Sequence, residues 1–417
     1  MRISTLLLWG SWLCVAPLLA QNDSTTVSLG PGYADQVWYS LSQGEQGRMT
    51  QSDWDLAFSI QGFGASVRLN HAKGMELYVY PNGDTAAWAS LDTAGMSTWQ
   101  PLHNSAEDWG VGAFNQSAHP EDDFDLGWGM YSVITHHVTG DSLFVVKNAD
   151  GSVQKLWLER LASGTFTFRY ANLDGSQDTT QQVNKSDYPD KTYAYYRLSD
   201  HQALDPEPPS EQWDLLFTQY IDFIPVPYGV SGVLTHRNVG VAQVYPVDAA
   251  TYRDVEGLAF DSVKNAIGYD WKSFDMGTFS WNLQDSLVYF VKDQGGEIWK
   301  LVFTDFGGSS TGEFTFTQES MSTTQLSTEA TQPFVAVYPN PAQAQAEVSV
   351  VADLTTEART VQFTLFDAQG RQVQQEQQAV RPGLHRYAWL LPTLAPGVYS
   401  LRVQSGTQQA WQKVRVD

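Results

Sequence analysis

Trp54-Asp55-Leu56-Ala57-Phe58 returns as Trp213-Asp214-Leu215-Leu216-Phe217, and the residues beyond each copy return in the same order. The first copy runs on through Val67-Arg68-Leu69-Asn70-His71 to Tyr80-Pro81, the second through Gly232-Val233-Leu234-Thr235-His236 to Tyr245-Pro246. In both, the histidine stands ten positions ahead of the proline. Asp141-Ser142-Leu143 and Lys147 are echoed by Asp285-Ser286-Leu287 and Lys292, and the copies close on Thr165-Phe166-Thr167-Phe168 and Glu313-Phe314-Thr315-Phe316. Self-similarity at this spacing means one structural unit used twice.

The pattern inside each copy is that of strands. Apolar residues alternate with polar ones or form short buried runs, separated by turns rich in Gly, Asn and Asp. Residues 143–148, 153–161 and 165–170 read as a meander, rebuilt by 287–292, 297–304 and 313–316. Convincing amphipathic helices are scarce, with 250–257 and 262–266 the best candidates, so the expected class is all-β. Alternation puts Trp54, Leu56 and Phe58 on one face and Asp55 and Ala57 on the other. Asp55 and Asp214 are expected to cap turns or accept backbone hydrogen bonds.

The chain has 417 residues, enough for two or three domains. Residues 1–20 have a short basic start, an apolar run and a small residue at the end, the pattern of a secretory signal peptide. Cys14, the only cysteine, lies within it, so the mature chain is expected to have no disulfide and no cysteine-based metal site. Stability then falls to aromatic burial, and eleven tryptophans lie between residues 21 and 334. That same stretch holds 16 basic against 40 acidic residues, a net charge of −24. Such a surface repels a phosphate backbone and argues against nucleic acid as a partner. Residues 21–34 read as an exposed leader, and 320–333, rich in Ser, Thr and Gln, as a linker.

Three ordered motifs mark the last eighty residues: Tyr338-Pro339-Asn340-Pro341, Phe366-Asp367-Ala368-Gln369-Gly370-Arg371, and Leu394-Ala395-Pro396-Gly397-Val398-Tyr399. Residues 334–417 resemble the C-terminal sorting domain of type IX secretion cargo from Bacteroidetes. The resemblance implies a small Ig-like β-sandwich and a partnership with the type IX secretion machinery. It also implies removal of the tag and a body released or attached at the outer surface.

The body, divided into repeats at 21–184 and 185–319, resembles the HmuY-like haem-binding family. The resemblance rests on the two Trp-Asp-Leu stretches and on Ile267-Gly268-Tyr269-Asp270-Trp271-Lys272. It implies haem held between axial side chains, commonly histidines, in an apolar slot with cations for the propionates. His71 and His236, the repeat-equivalent pair, are the expected metal ligands, with Lys73 and Arg237 as the cations. Met75, His136 and His137 are the substitutes. If His136 and His137 lie on a strand, they face opposite sides.

No nucleophile elbow, His-Glu-x-x-His or phosphate loop is present, so a binding protein is expected rather than an enzyme. Asn172-Leu173-Asp174-Gly175 with Asp178, and Glu121-Asp122-Asp123 with Asp125, read as ordinary acidic turns before Ca²⁺ loops. Two other classes stay open. One is a carbohydrate-binding or adhesin-like surface protein using Trp88, Trp99, Trp109 and Trp128, and the other a structural surface component without a small ligand.

Overall fold

The computed structural model describes residues 24–321 and 335–416, apart from 355–359, 368–369, 380–382 and 406–407. The expected signal peptide and most of the expected linker lie outside the described residues. The protein is all-β: antiparallel sheets joined by turns and 3₁₀ segments, with one α-helical turn at Gly308–Thr311 among the described residues. The helix expected over 250–257 is a run of turns, closed by Asp248 accepting from the amides of Ala250 and Tyr252. No helix among the described residues is long and apolar enough to cross a membrane.

Each Trp-Asp-Leu segment enters an inner strand of a four-stranded sheet. One sheet runs Gln202–Leu204, Tyr193–Arg197, Leu56–Ser59, Val67–Leu69, and the other Gly44–Thr50, Asp35–Ser40, Leu215–Phe223, Pro227–Thr235. The registers match: Leu56 opposes Tyr196 and Leu69, while Leu215 opposes Tyr39 and Thr235. The hairpin that precedes each Trp-Asp-Leu in sequence therefore pairs with the Trp-Asp-Leu strand of the other copy. A cut at 184/185 would divide both sheets, so the expected repeat boundary does not separate two folded bodies. The chain's compact units divide at Ser322 instead.

The two four-stranded sheets back onto each other. Trp38, Trp54, Ala57, Tyr193, Tyr195, Trp213, Leu216, Tyr220 and Leu234 form the core between them. Leu56, Phe58, Val67 and Leu69 instead face a seven-stranded sheet through Phe144, Leu156, Phe166 and Phe168. Leu215, Phe217 and Val233 face a five-stranded sheet through Tyr289, Leu301, Phe314 and Phe316. Trp54 thus packs with Ala57 and not, as alternation predicted, with Leu56 and Phe58. The strand begins only at Leu56, and Trp54 closes the 3₁₀ turn Gln51–Asp53, outside the pleat that sets the period of two.

Residues 24–28, expected as an exposed leader, form a strand that pairs along Glu313–Ser320 and buries Val27 and Leu29. The sheet edge that Glu313–Ser320 would otherwise present is covered by the start of the chain.

The C-terminal unit has a three-stranded sheet (Val335–Tyr338, Glu347–Leu354, Gly383–Leu390) and a four-stranded one (Gln372–Ala379, Thr360–Phe366, Gly397–Ser405, Gln408–Val416). Val348, Val350 and Trp389 from the first share one core with Phe363, Leu401 and Val414 from the second. The motifs close turns and edges. Asn340 donates to Lys413 O and accepts from the Arg415 amide, both at 2.8 Å, and Asp367 pairs with Arg371 at 2.7 Å.

Candidate functional site

The two Asp residues of the repeated motif hold the exchanged hairpins in place. Asp55 Oδ2 accepts from the Leu198 amide at 2.7 Å, and Asp214 Oδ2 from the Leu41 amide at 2.9 Å. Each carboxylate reaches the turn of the hairpin lent by the other copy, as their expected backbone-bonding role requires. Lys73 Nζ lies 2.6 Å from Asp55 Oδ1, so this expected haem cation is an ion-pair partner of the motif.

His71 and His236 are not equivalent in the sheet register. Val67 and Val233 oppose Phe58 and Phe217, which makes His236 the counterpart of Asn70. Their amides confirm the register: Asn70 N donates to Asp55 O and His236 N to Asp214 O. Asn70 Nδ2 donates to Gln51 O and Trp54 O; in the other sheet Gln294 Nε2 donates to the matching Ser210 O and Trp213 O.

Both histidines have their ring nitrogens committed. His236 is fully buried, edge-on to Trp213 at 4.6 Å; its Nε2 meets Ser210 Oγ at 2.9 Å and its Nδ1 accepts from the Asn238 amide at 3.2 Å. Burial, then Arg237, pushes its pKa down to about 3. His71 Nδ1 donates to Met75 O at 3.1 Å and Nε2 accepts from the Asn104 amide at 3.4 Å, and burial followed by His103 lowers its pKa to about 4. Each ring is a neutral linker inside the fold, so the expected pair of converging axial ligands is corrected. Met75 is buried in the first copy's core, and the buried Arg237 Nε has no hydrogen-bond partner among the described residues.

The substitute histidines lie elsewhere. Gly129–Ser132 and His137–Gly140 form a hairpin on the edge of the seven-stranded sheet. Its turn bears the exposed Val133 and Ile134. His136 ends that turn with φ 56°, in the left-handed region. That twist cancels the alternation expected for adjacent strand residues, and His136 and His137 both line one cleft of about 510 Å³. Leu126, Tyr131, Val138 and Leu161 supply apolar lining, and Phe63 and Lys185 also line it. Tyr131 Oη and His136 Nδ1 are 2.8 Å apart. Lys185 Nζ donates to Gly62 O at 3.0 Å and Gly64 O at 2.6 Å, and burial lowers its pKa to about 8. The hairpin is seated by glycines. A Cβ on Gly140 would stand 1.6 Å from Leu158 O, and one on Gly129 2.3 Å from Thr139 O.

The lining of this cleft combines imidazole nitrogens, aliphatic and aromatic side chains and one lysine, a donor set of the kind a flat apolar ligand with an iron centre needs. The aromatic alternative fits less well. Trp88, Trp109 and Trp128 are buried, and Trp99 packs edge-on to Tyr78 and Tyr80. The acidic turns are self-contained. Asp178 pairs with Arg169 at 2.6 Å, Asp174 accepts from the Ser176 amide, and Asp125 accepts from the amides of His119 and Gly127.

His103 escaped the sequence reading, having no counterpart in the second copy. Its ring lies 5.1 Å from that of His71, and neither of its buried nitrogens has a partner among the described residues. Arg68 escaped too, although a charged residue between Val67 and Leu69 was a visible signal.

Comparison with known proteins follows the same division of the chain. No curated protein matches it. Among solved structures, dimeric latent PorU from Porphyromonas gingivalis aligns over 84% of this chain and 34% of its own, at 10% identity and a TM-score of 0.17. Escherichia coli alpha-2-macroglobulin activated by porcine elastase aligns over 94% and 33%, at 11% identity and a TM-score of 0.15. The chain spans about a third of either protein, and likeness at that level carries no argument. Residues 336–417 match the secretion system C-terminal sorting domain, which makes the chain a type IX-secreted protein of the cell surface or exterior. Residues 32–318, both Trp-Asp-Leu copies and both exchanged hairpins, match the HmuY protein model, and the chain belongs to the HmuY family.

Proposed function

We propose that the body is a non-enzymatic haem-binding protein acting at the cell surface, and that haem enters the cleft beside the Gly129–Gly140 hairpin. The observation that carries this reading is the presence of both His136 and His137 in the lining of a largely apolar cleft of about 510 Å³. Ordinary ligand pockets span roughly 300–1,000 Å³ and combine apolar lining with a few placed polar groups. Here His137 and the free Nε2 of His136 are the groups able to reach an iron, and Lys185 is the cation nearest a propionate. Bound haem supplies redox-active iron; the chain's own residues bind, orient and shield it. Tyr131 holds the His136 ring through its hydroxyl, which fixes the nitrogen left to face the cleft.

Titrating the full mature chain with haemin tests the reading. A Soret shift saturating at one equivalent is expected, with affinity falling at least about tenfold, or about 1.4 kcal/mol, in the His136→Ala, His137→Ala double variant. An unshifted Soret band in the wild type, or equal affinity in the double variant, rejects it.

A further inference from the structure

We propose that the cavity between the two back-to-back four-stranded sheets is a binding site for a small monovalent anion, of halide or formate size, held by the Arg68 guanidinium and the Trp54 indole N–H. The site lies apart from the haem cleft and does not depend on it.

Arg68 is 8% exposed, on the strand Val67–Leu69, and its side chain enters the core between the sheets. It forms no ion pair among the described residues, and its Nη1 is buried without a hydrogen-bond partner. Aromatic faces are its neighbours instead, Trp109 at 4.7 Å and Tyr193 at 5.7 Å from the guanidinium carbon. Trp54, 7% exposed, likewise leaves its buried Nε1–H without a hydrogen-bond partner among the described residues. Arg68 and Trp54 line one cavity of about 50 Å³, together with Gln36, Asn104, Tyr195 and Thr218. A single water needs roughly 10–15 Å³ of such space, so there is room for an ion.

A buried charge without a counter-charge is among the costliest arrangements in a protein, and buried charges are found paired. Two buried carboxylates of this region, Asp55 and Glu207, are engaged elsewhere, and Asp108 and Asp222 act on the buried Lys264, which shares the Trp109 ring with Arg68. Asp55 is held by Lys73 and the Leu198 amide. Glu207 accepts from Thr192, Tyr193 and Trp213. The second copy shows what these positions hold when no free cation is present. Leu234 stands where Arg68 does, opposite Leu216 as Arg68 is opposite Ala57, and the Trp213 indole donates to the Glu207 carboxylate at 3.1 Å. In the first copy the Trp54 indole has no carboxylate partner among the described residues, and Arg68 lines the same cavity. The two differences leave a cation and an N–H donor lining one cavity, and a mobile anion satisfies both.

Crystals of the full mature chain grown in sodium bromide give the direct test. An anomalous peak is expected within hydrogen-bond reach of Arg68 and Trp54 Nε1. Thermal unfolding at fixed ionic strength separates the ligand types: the midpoint should rise with chloride, bromide or formate relative to sulfate, which is too large and doubly charged. Trp54→Phe keeps the ring and removes only the donor, and should shrink that anion-specific rise. Arg68→Met should abolish it. Bromide found only at the surface, or a wild-type midpoint indifferent to the anion supplied, overturns the proposal, even if Arg68→Met fails to fold.

Discussion

His236 and Asn70 occupy one station in their respective sheets, yet they answer to pH differently. The folded state holds His236 neutral down to about pH 3, whereas an unfolded histidine titrates near 6.5. Below pH 6.5 the unfolded chain therefore binds a proton that the folded chain refuses, and stability falls as pH drops from 6.5 towards 3. His71 adds to the same slope down to about pH 4. His236→Asn installs the residue that the first copy uses. It should shallow the acid limb of a Tm-against-pH curve while lowering Tm near neutrality, because the bond to Ser210 is lost. An unchanged limb would mean that His236 is already protonated in the native state.

At the scale of the element, the hairpin Gly129–Gly140 carries the proposed ligands, and its seat is made of backbone. Thr139 and Val138 oppose Arg160 and Leu161, and Gly140 lies against Leu158 with no space for a Cβ. Gly140→Ala should push the hairpin off the sheet edge, costing about 1–3 kcal/mol by overpacking. Haemin affinity should fall with it, although no ligand has been touched. Urea unfolding beside the haemin titration checks this. Stability and affinity that both match the wild type would show that the strand edge yields freely.

For the whole molecule, the exchange of hairpins decides what folds alone. Residues 35–50 complete the sheet of 215–235, and 193–204 complete the sheet of 56–69. Fragments 21–184 and 185–322 each lack two strands of a four-stranded sheet and bear the other half's hairpin unpaired. Neither fragment should show cooperative unfolding by circular dichroism, whereas 21–322 should unfold in one transition. Mixing the two fragments should restore part of the β signal. Independent cooperative folding of either fragment would refute the interlocked arrangement.

The doubled motif, the all-β class and the sorting tail could be read from the chain because each is a local pattern. Alternation, turn residues and ordered short motifs depend on neighbours a few positions apart. The backbone-bonding role of Asp55 and Asp214 belongs with them, as a carboxylate in such a motif has few other uses. Three-dimensional pairing decided the rest. A one-residue offset in the register replaced His71 by Asn70 as the partner of His236, and an offset of that size is invisible to spacing because loop lengths absorb it. The left-handed turn at His136 put two adjacent imidazoles in one cleft, against the strand rule. The destination of each leading hairpin was open in sequence, since Asp35–Ser40 and Tyr193–Arg197 each set a tyrosine opposite the first leucine of a Trp-Asp-Leu strand in the same antiparallel register. Only the packing of four sheets selects between them.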